Sequence, residues 1–196
     1  MIAYYLTHPQ VDIESDRPVP LWRLSEVGRH RVKAILGKPW LGCIERIVSS
    51  AETKAVETAA IVAAYLHVPM QIDERLGEND RSSTGFLPPE EFEAAADRFF
   101  GEPQKSWHGW ETAINASERI VSAMEQFLPP PAPQTLFVGH GAVGTLFKCR
   151  LAGYPIARIH DQPAGGGNIF AFGMAGRELL CDWTPMEAFE GVANAN

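Results

Sequence analysis

Two histidines and a pair of serines stand where apolar runs end. His8 follows Ile2-Ala3-Tyr4-Tyr5-Leu6 through Thr7, Ser49 and Ser50 follow the run closing at Val48, and His140 follows residues 135–138 inside Gly139-His140-Gly141. In open α/β sheets ligands bind beyond the carboxyl ends of strands, and an imidazole placed there can act as base, nucleophile or metal ligand near neutral pH. The serines and His140 also open helices, whose unpaired amides and positive dipole ends favour an anion. One histidine after an apolar run is more often a structural residue. Two imidazoles and a serine pair at three strand ends point instead to phosphate chemistry.

The elements that must position these groups follow from periodicity. Residues 2–6 read as a buried strand. Ser25 looks like an N-cap, and Leu24, Val27, Ala34 and Ile35 at near-helical spacing predict a helix over residues 25–36, with Gly37 as its stop. Residues 44–48 form a second strand. Ser49-Ser50-Ala51-Glu52 has the form of a capping box, and Ala55, Ala59, Val62 and Leu66 make one apolar stripe of a helix reaching about His67. A weaker strand at residues 68–72 leads into a long polar segment, 73–89, and long loops in compact domains are usually functional. Helices are expected from Pro88 to Gly101 and from Ile114 to Leu128, the second stopped by Pro129-Pro130-Pro131. Residues 135–138 are a strand, followed by a helix to about Leu151 with Gly153 as its stop. After Gly165-Gly166-Gly167, residues 169–174 and 178–183 read as a closing hairpin. Strands alternating with helices imply one three-layer α/β/α sandwich with a mostly parallel sheet, a single domain over residues 1–196.

Composition narrows the partners. With 196 residues and 45% apolar content the chain can bury one substantial core. Its net charge of −7, with basic residues scattered, argues against nucleic acid or an anionic membrane as partner. Cys43, Cys149 and Cys181 form no even framework and no Cys-x-x-Cys pair, which predicts reduced thiols. No signal peptide and no membrane-length apolar run is legible, so a cytoplasmic protein is expected.

Other chemistries fit less well. Gly139-His140-Gly141-Ala142-Val143-Gly144 matches the dinucleotide fingerprint G-x-G-x-x-G, with Asp161 about twenty residues on. Asp161, however, lies in a Pro- and Gly-rich loop and not at the end of a second strand. A P-loop fails because Thr145 follows Gly144 where a lysine is required. There is no G-x-S-x-G elbow and no histidine pair with zinc-ligand spacing. His30, His67 and His160 read as surface or capping residues, and His108 beside Trp107 as a loop residue.

In order, these motifs resemble the histidine phosphatase superfamily, the phosphoglycerate mutase-like fold. Its opening Arg-His-Gly corresponds to Thr7-His8-Pro9, its Leu-Ser/Thr-x-x-Gly to Leu24-Ser25-Glu26-Val27-Gly28, and its Ser-x-x-x-Arg-Ala-x-x-Thr-Ala to the segment from Ser50 to Ala59 with Lys54 at the arginine. Leu76-Gly77-Glu78, Gly109-Trp110-Glu111, His140-Gly141 and Asn168 complete a match over residues 2–174. The resemblance implies His8 as nucleophile, Glu78 as the acid for the leaving oxygen and His140 as a second imidazole on the phosphate. Thr7, Lys54, Gly141 and Ala142 would line the phosphate. It also implies no metal, no organic cofactor, and a small phosphorylated substrate or inorganic phosphate as partner.

The departures fall on the phosphate grip. Thr7 and Lys54 stand where the family has arginines, so the two-pronged guanidinium fork is lost at both places. Without an arginine at position 7, more of the His8 imidazole is expected to be charged. Pro9 in place of glycine removes a backbone donor, and Glu14, near a usual asparagine, would repel phosphate if it faced the site. The expectation is a small phosphomonoesterase acting through phosphohistidine; the alternative is a degenerate member that binds a phosphorylated ligand or partner protein. Whether Arg17, Arg23, Arg29 or Arg81 folds in to replace the missing cation distinguishes them. Residues 79–89 and 101–109 are expected to shape the pocket.

Overall fold

The computed structural model describes residues 1–192. Strand β1 (Ile2–Thr7) lies inside a six-stranded sheet with β2 (Arg46–Ser49), β3 (Met70–Ile72), β4 (Thr135–Gly139), β5 (Asn168–Gly173) and β6 (Leu179–Pro185) in the order β3-β2-β4-β1-β5-β6. The pairs β1–β4, β2–β4 and β2–β3 are parallel, and β5 alone runs against its neighbours, antiparallel to β1 and β6. The expected hairpin is therefore the antiparallel edge of a mostly parallel sheet.

Side chains alternate across each strand and build two cores. Tyr4 and Leu6 join Ile47, Leu136 and Val138 under α1 (Glu26–Ala34) and α2 (Thr53–Leu66). Ala3 and Tyr5 join Phe137, Phe170 and Phe172 under α3 (Pro89–Gly101), α4 (Ala113–Glu125) and α5 (Gly141–Ala152). With every residue of β4 and β5 buried, these strands carry continuous apolar runs, as a sheet covered on both faces requires. The three-layer sandwich matches the expectation.

Two boundaries differ from it. α4 stops at Glu125, ahead of the prolines, because the Gln126 N–H turns to Ala123 and tightens the last turn; Leu128 is still buried beyond it. α2 has no capping box: its N-cap is Glu52, whose side chain makes no cap bond, while the Ser50 hydroxyl takes the Glu52 N–H at 3.2 Å. The Glu52 carboxylate is thereby left for other partners. Among the described residues, no helix is long and apolar enough to cross a membrane.

Candidate active site

Parallel pairing of β1 with β4 sets Thr7 opposite Gly139, so the next residue of each strand, His8 and His140, emerges at the same edge. The His8 N–H bonds the Gly139 carbonyl at 3.0 Å, and the two imidazole centroids lie 5.2 Å apart, inclined at 68°. β2 adds Ser50, whose N–H reaches the Val138 carbonyl and whose Oγ lies 2.8 Å from His140 Nε2. All three strand ends singled out in the sequence converge.

Each imidazole is fixed from behind. His8 Nδ1 lies 2.9 Å from the Pro9 carbonyl oxygen; it donates its N–H there and leaves Nε2 as the nitrogen with a free lone pair. Gly166, at φ 63°, packs so closely that a Cβ would sit 2.5 Å from the His8 carbonyl oxygen, and the neighbouring Gly167 N–H bonds that oxygen at 3.1 Å. Part of the triple-glycine loop is thus the back wall of the His8 backbone. His140 is held by Tyr5, whose ring lies under Gly139 and Gly144; a Cβ on either would fall 2.3 or 2.4 Å from Tyr5 atoms. A Cβ on Gly141 would meet the Gln162 side chain at 2.2 Å. The glycines that imitate a dinucleotide fingerprint make room for Tyr5 and Gln162, and Asp161 accepts from the Thr145 hydroxyl at 2.9 Å.

Burial first, then Lys54, depresses His8 from its ordinary 6.5 to about 4. Arg81 acts in the same direction. His140, wholly buried, is lowered to about 3, again by burial first. Both are neutral at physiological pH. The expected excess of charged His8 does not arise, since burial and other cations do what an arginine at position 7 would have done.

Glu78 reaches the cluster from the loop after β3. Its carboxylate oxygens accept from the N–H groups of Ala142 (3.2 Å) and Val143 (3.1 Å) at the start of α5 and from Asn79 (3.0 Å). The Ala142 amide, expected on the phosphate, is thus turned to Glu78. Burial raises the Glu78 pKa against these bonds, and the nearby Glu52 charge adds to the rise. Arg119, which the sequence reading did not single out, braces the loop: it donates to the carbonyls of Arg75, Gly77 and Glu78 at 2.7, 2.9 and 3.2 Å and pairs with Glu111 at 2.7 Å.

The expected phosphate ligands are redistributed. Thr7 is fully buried and lines neither of the two chambers at this edge; its hydroxyl donates to Gln162 Oε1 at 2.8 Å and accepts the Asn168 N–H at 2.9 Å. It fastens the start of β5 and not a phosphate. Asn168, the late asparagine of the family pattern, donates from its side-chain amide to Gln162 Oε1 and the Pro163 carbonyl. Lys54 does line the cavity, but its ammonium bonds the Val19 carbonyl at 2.9 Å and pairs with Glu52. Glu52 also accepts the Glu78 N–H at 2.8 Å and lies 3.5 Å from His140 Nε2. Burial opposes its ionisation, but His140 and Lys54 overcome that and hold the carboxyl at about 2. No sequence signal singled Glu52 out beyond its capping-box position.

Of the four candidate arginines, Arg17 and Arg81 line the cavity, and of these Arg81 is the one without a carboxylate pair among the described residues. Arg17 is paired with Glu14 at 3.2 Å, Arg29 with Glu57 at 2.8 Å, and Arg23 is exposed. Arg81 lies over the Phe92 ring at 4.9 Å and lines a cavity of about 670 Å³ together with His8, Lys54, Glu78 and His140. Glu14 does not line that cavity, and His108 packs on Trp107 with ring centroids 4.2 Å apart, outside it. Residues from 79–86 shape the wall as expected; the rest of it comes from residues 15–22 and not from 101–109. A second chamber of about 430 Å³ opens on the α3 side and shares His8, Glu78 and Arg81; Gly141 lines it.

Comparison with known proteins bears on the fold and the family. The chain resembles Bacillus stearothermophilus YhfR (TM-score 0.79, 20% identity, 95% of this chain and 99% of that one). It also resembles a mycobacterial glucosyl-3-phosphoglycerate phosphatase (TM-score 0.75, 19% identity, 94% and 98%). A third similar structure is phosphoserine phosphatase from Entamoeba histolytica (TM-score 0.75, 14% identity, 95% and 98%). These likenesses establish the phosphoglycerate mutase-like fold. No curated protein matches the sequence. The family model described as histidine phosphatase superfamily (branch 1) matches residues 17–180, most of the chain, and with two imidazoles meeting at the carboxyl edge of such a sheet the protein belongs to that superfamily.

Proposed function

We propose that the protein is a phosphomonoesterase that works through phosphohistidine at His8, without a metal or organic cofactor. The observation that carries this is the state of His8: a neutral ring anchored through Nδ1 to the Pro9 carbonyl, with Nε2 as the nucleophilic nitrogen beside His140. Nε2 attacks phosphorus and the bond to the leaving oxygen breaks, that oxygen taking a proton from Glu78. Glu78, with its raised pKa, is suited to hold that proton in its buried site. As carboxylate it then takes a proton from the water that attacks the phosphohistidine, releasing phosphate and restoring both groups. Arg81, His140 and Lys54 stabilise the charge on the transferring group.

The binding-only alternative draws support from one feature, the Glu52 carboxylate that neutralises Lys54 inside the cavity. Arg81 weighs against it, since a guanidinium lines the cavity from the loop after β3 although the family's two positions lack one. A panel of phosphomonoesters assayed with wild type and His8→Ala decides between them. Turnover by wild type that the variant abolishes is expected. Phosphate or ester binding without turnover in either protein would establish the alternative.

A further inference from the structure

The chamber above the phosphoryl site specifies the other half of the substrate. At about 670 Å³ it falls within the ~300–1,000 Å³ of small-molecule sites, far more than a phosphoryl group fills. It alone of the two chambers is lined by both imidazoles with Glu78, so it receives the group whose oxygen Glu78 protonates. Trp22 and Phe86 meet on its wall with ring centroids 5.7 Å apart at 55°. The Trp22 Nε1–H is engaged within its own loop, on the carbonyls of Glu14 and Arg17 at 2.8 and 3.0 Å, so this wall offers aromatic surface and no indole donor. Val19 and Pro20 continue it, and the bond from Lys54 to the Val19 carbonyl ties it to the catalytic floor.

Charge restricts the occupant further. The residues lining the chamber include the acidic Asp16, Glu52, Glu78 and Asp80 and the basic Arg17, Lys54 and Arg81. Glu14 pairs with Arg17 and Glu52 with Lys54, which leaves Arg81 for the phosphoryl group. A second anionic group would therefore meet Asp16 and Asp80 without a cation of its own, and like charges brought together in a partly dry site repel. We infer that the substrate is a phosphomonoester of an aromatic or extended apolar alcohol carrying no second negative charge. This rests on the phosphatase reading for its chemistry, but not for the binding preference.

The test compares 1-naphthyl phosphate, glycerol 2-phosphate and 3-phosphoglycerate on wild type, Phe86→Ala and Asp16→Lys. Phe86 and Asp16 are not fully buried, so both variants should fold. Wild type should favour the naphthyl ester over 3-phosphoglycerate by at least about tenfold in kcat/KM, and Phe86→Ala should remove about tenfold for the naphthyl ester while glycerol 2-phosphate changes little. Asp16→Lys should narrow the gap to 3-phosphoglycerate. A preference for 3-phosphoglycerate, or an equal loss on all three esters in Phe86→Ala, would overturn the inference. If no ester turns over, the phosphatase reading fails by itself, and calorimetry then decides the chamber. Tighter binding of 1-naphthyl phosphate than of inorganic phosphate, lost in Phe86→Ala, upholds it, and equal affinities refute it.

Discussion

The Tyr5 hydroxyl accepts the His140 N–H at 3.1 Å and donates to the His140 carbonyl at 3.2 Å, so one buried side chain holds both backbone polar groups of the second imidazole. The ring that does this also stacks on Phe170 at 5.1 Å, which anchors the aim of His140 in the core.

Tyr5→Phe keeps the packing and leaves the His140 amide unpaired in a dry site. A loss of about 1–3 kcal/mol in denaturant unfolding is expected. Because His140 is held less firmly, kcat should fall as well. Unchanged kcat at reduced stability would show that Tyr5 stabilises the fold without aiming His140.

Arg81→Met should lower kcat/KM on a phosphomonoester by roughly 10- to 150-fold, the worth of about 1.5–3 kcal/mol for a charge-assisted hydrogen bond. Arg81→Lys should recover part of that loss, since it restores the charge but not the fork. If Arg81→Met leaves kcat/KM intact, Lys54 supplies the cation instead.

Restoring an arginine at position 7 should not restore a phosphate grip. Thr7 is fully buried, and its hydroxyl links Gln162 and Asn168. Thr7→Arg should cost at least about 1–3 kcal/mol by overpacking alone. Activity should drop with it, and a gain in kcat/KM at unchanged stability would contradict the assigned role of Thr7.

The pH dependence has a definite sign. His8 and His140 are lowered from 6.5 to about 4 and about 3, so between those values the unfolded chain binds protons that the folded chain does not. Their contribution to stability is complete above pH 6.5 and is lost as pH falls toward 4 and then 3, at ~1.4 kcal/mol per unit of separation. Glu52, held at about 2, loses its share below the ordinary carboxyl range, while Glu78, raised, contributes below that range and loses its share as pH rises through its folded pKa. Thermal unfolding of His140→Asn should be less pH-dependent than wild type between pH 6.5 and 4. Turnover should have an acid limb near 4 from His8, and an acid limb near 6.5 would mean that His8 is not buried as described.

What the sequence determined by itself was whatever depends on local order. Apolar runs ending on His8, Ser50 and His140, with helical stripes between them, were enough to place three strand ends on one edge, because parallel strands joined by crossover helices share their carboxyl side. Ser25 and Gly153 marked helix ends through short-range bonds and backbone preference, and both cap as expected. What only the tertiary structure decided was the partner of each polar group. The family resemblance put Thr7 and Lys54 at positions of phosphate ligands, yet Thr7 turns to Gln162 and Asn168, 155 and 161 residues away, and Lys54 to Glu52 and Val19. Arg81 and Arg119 sit in or against a loop without periodicity, and their roles follow from contacts that no spacing encodes. A strand end fixes where a side chain begins, but its charge and its hydrogen bonds depend on which distant groups the folded core leaves beside it.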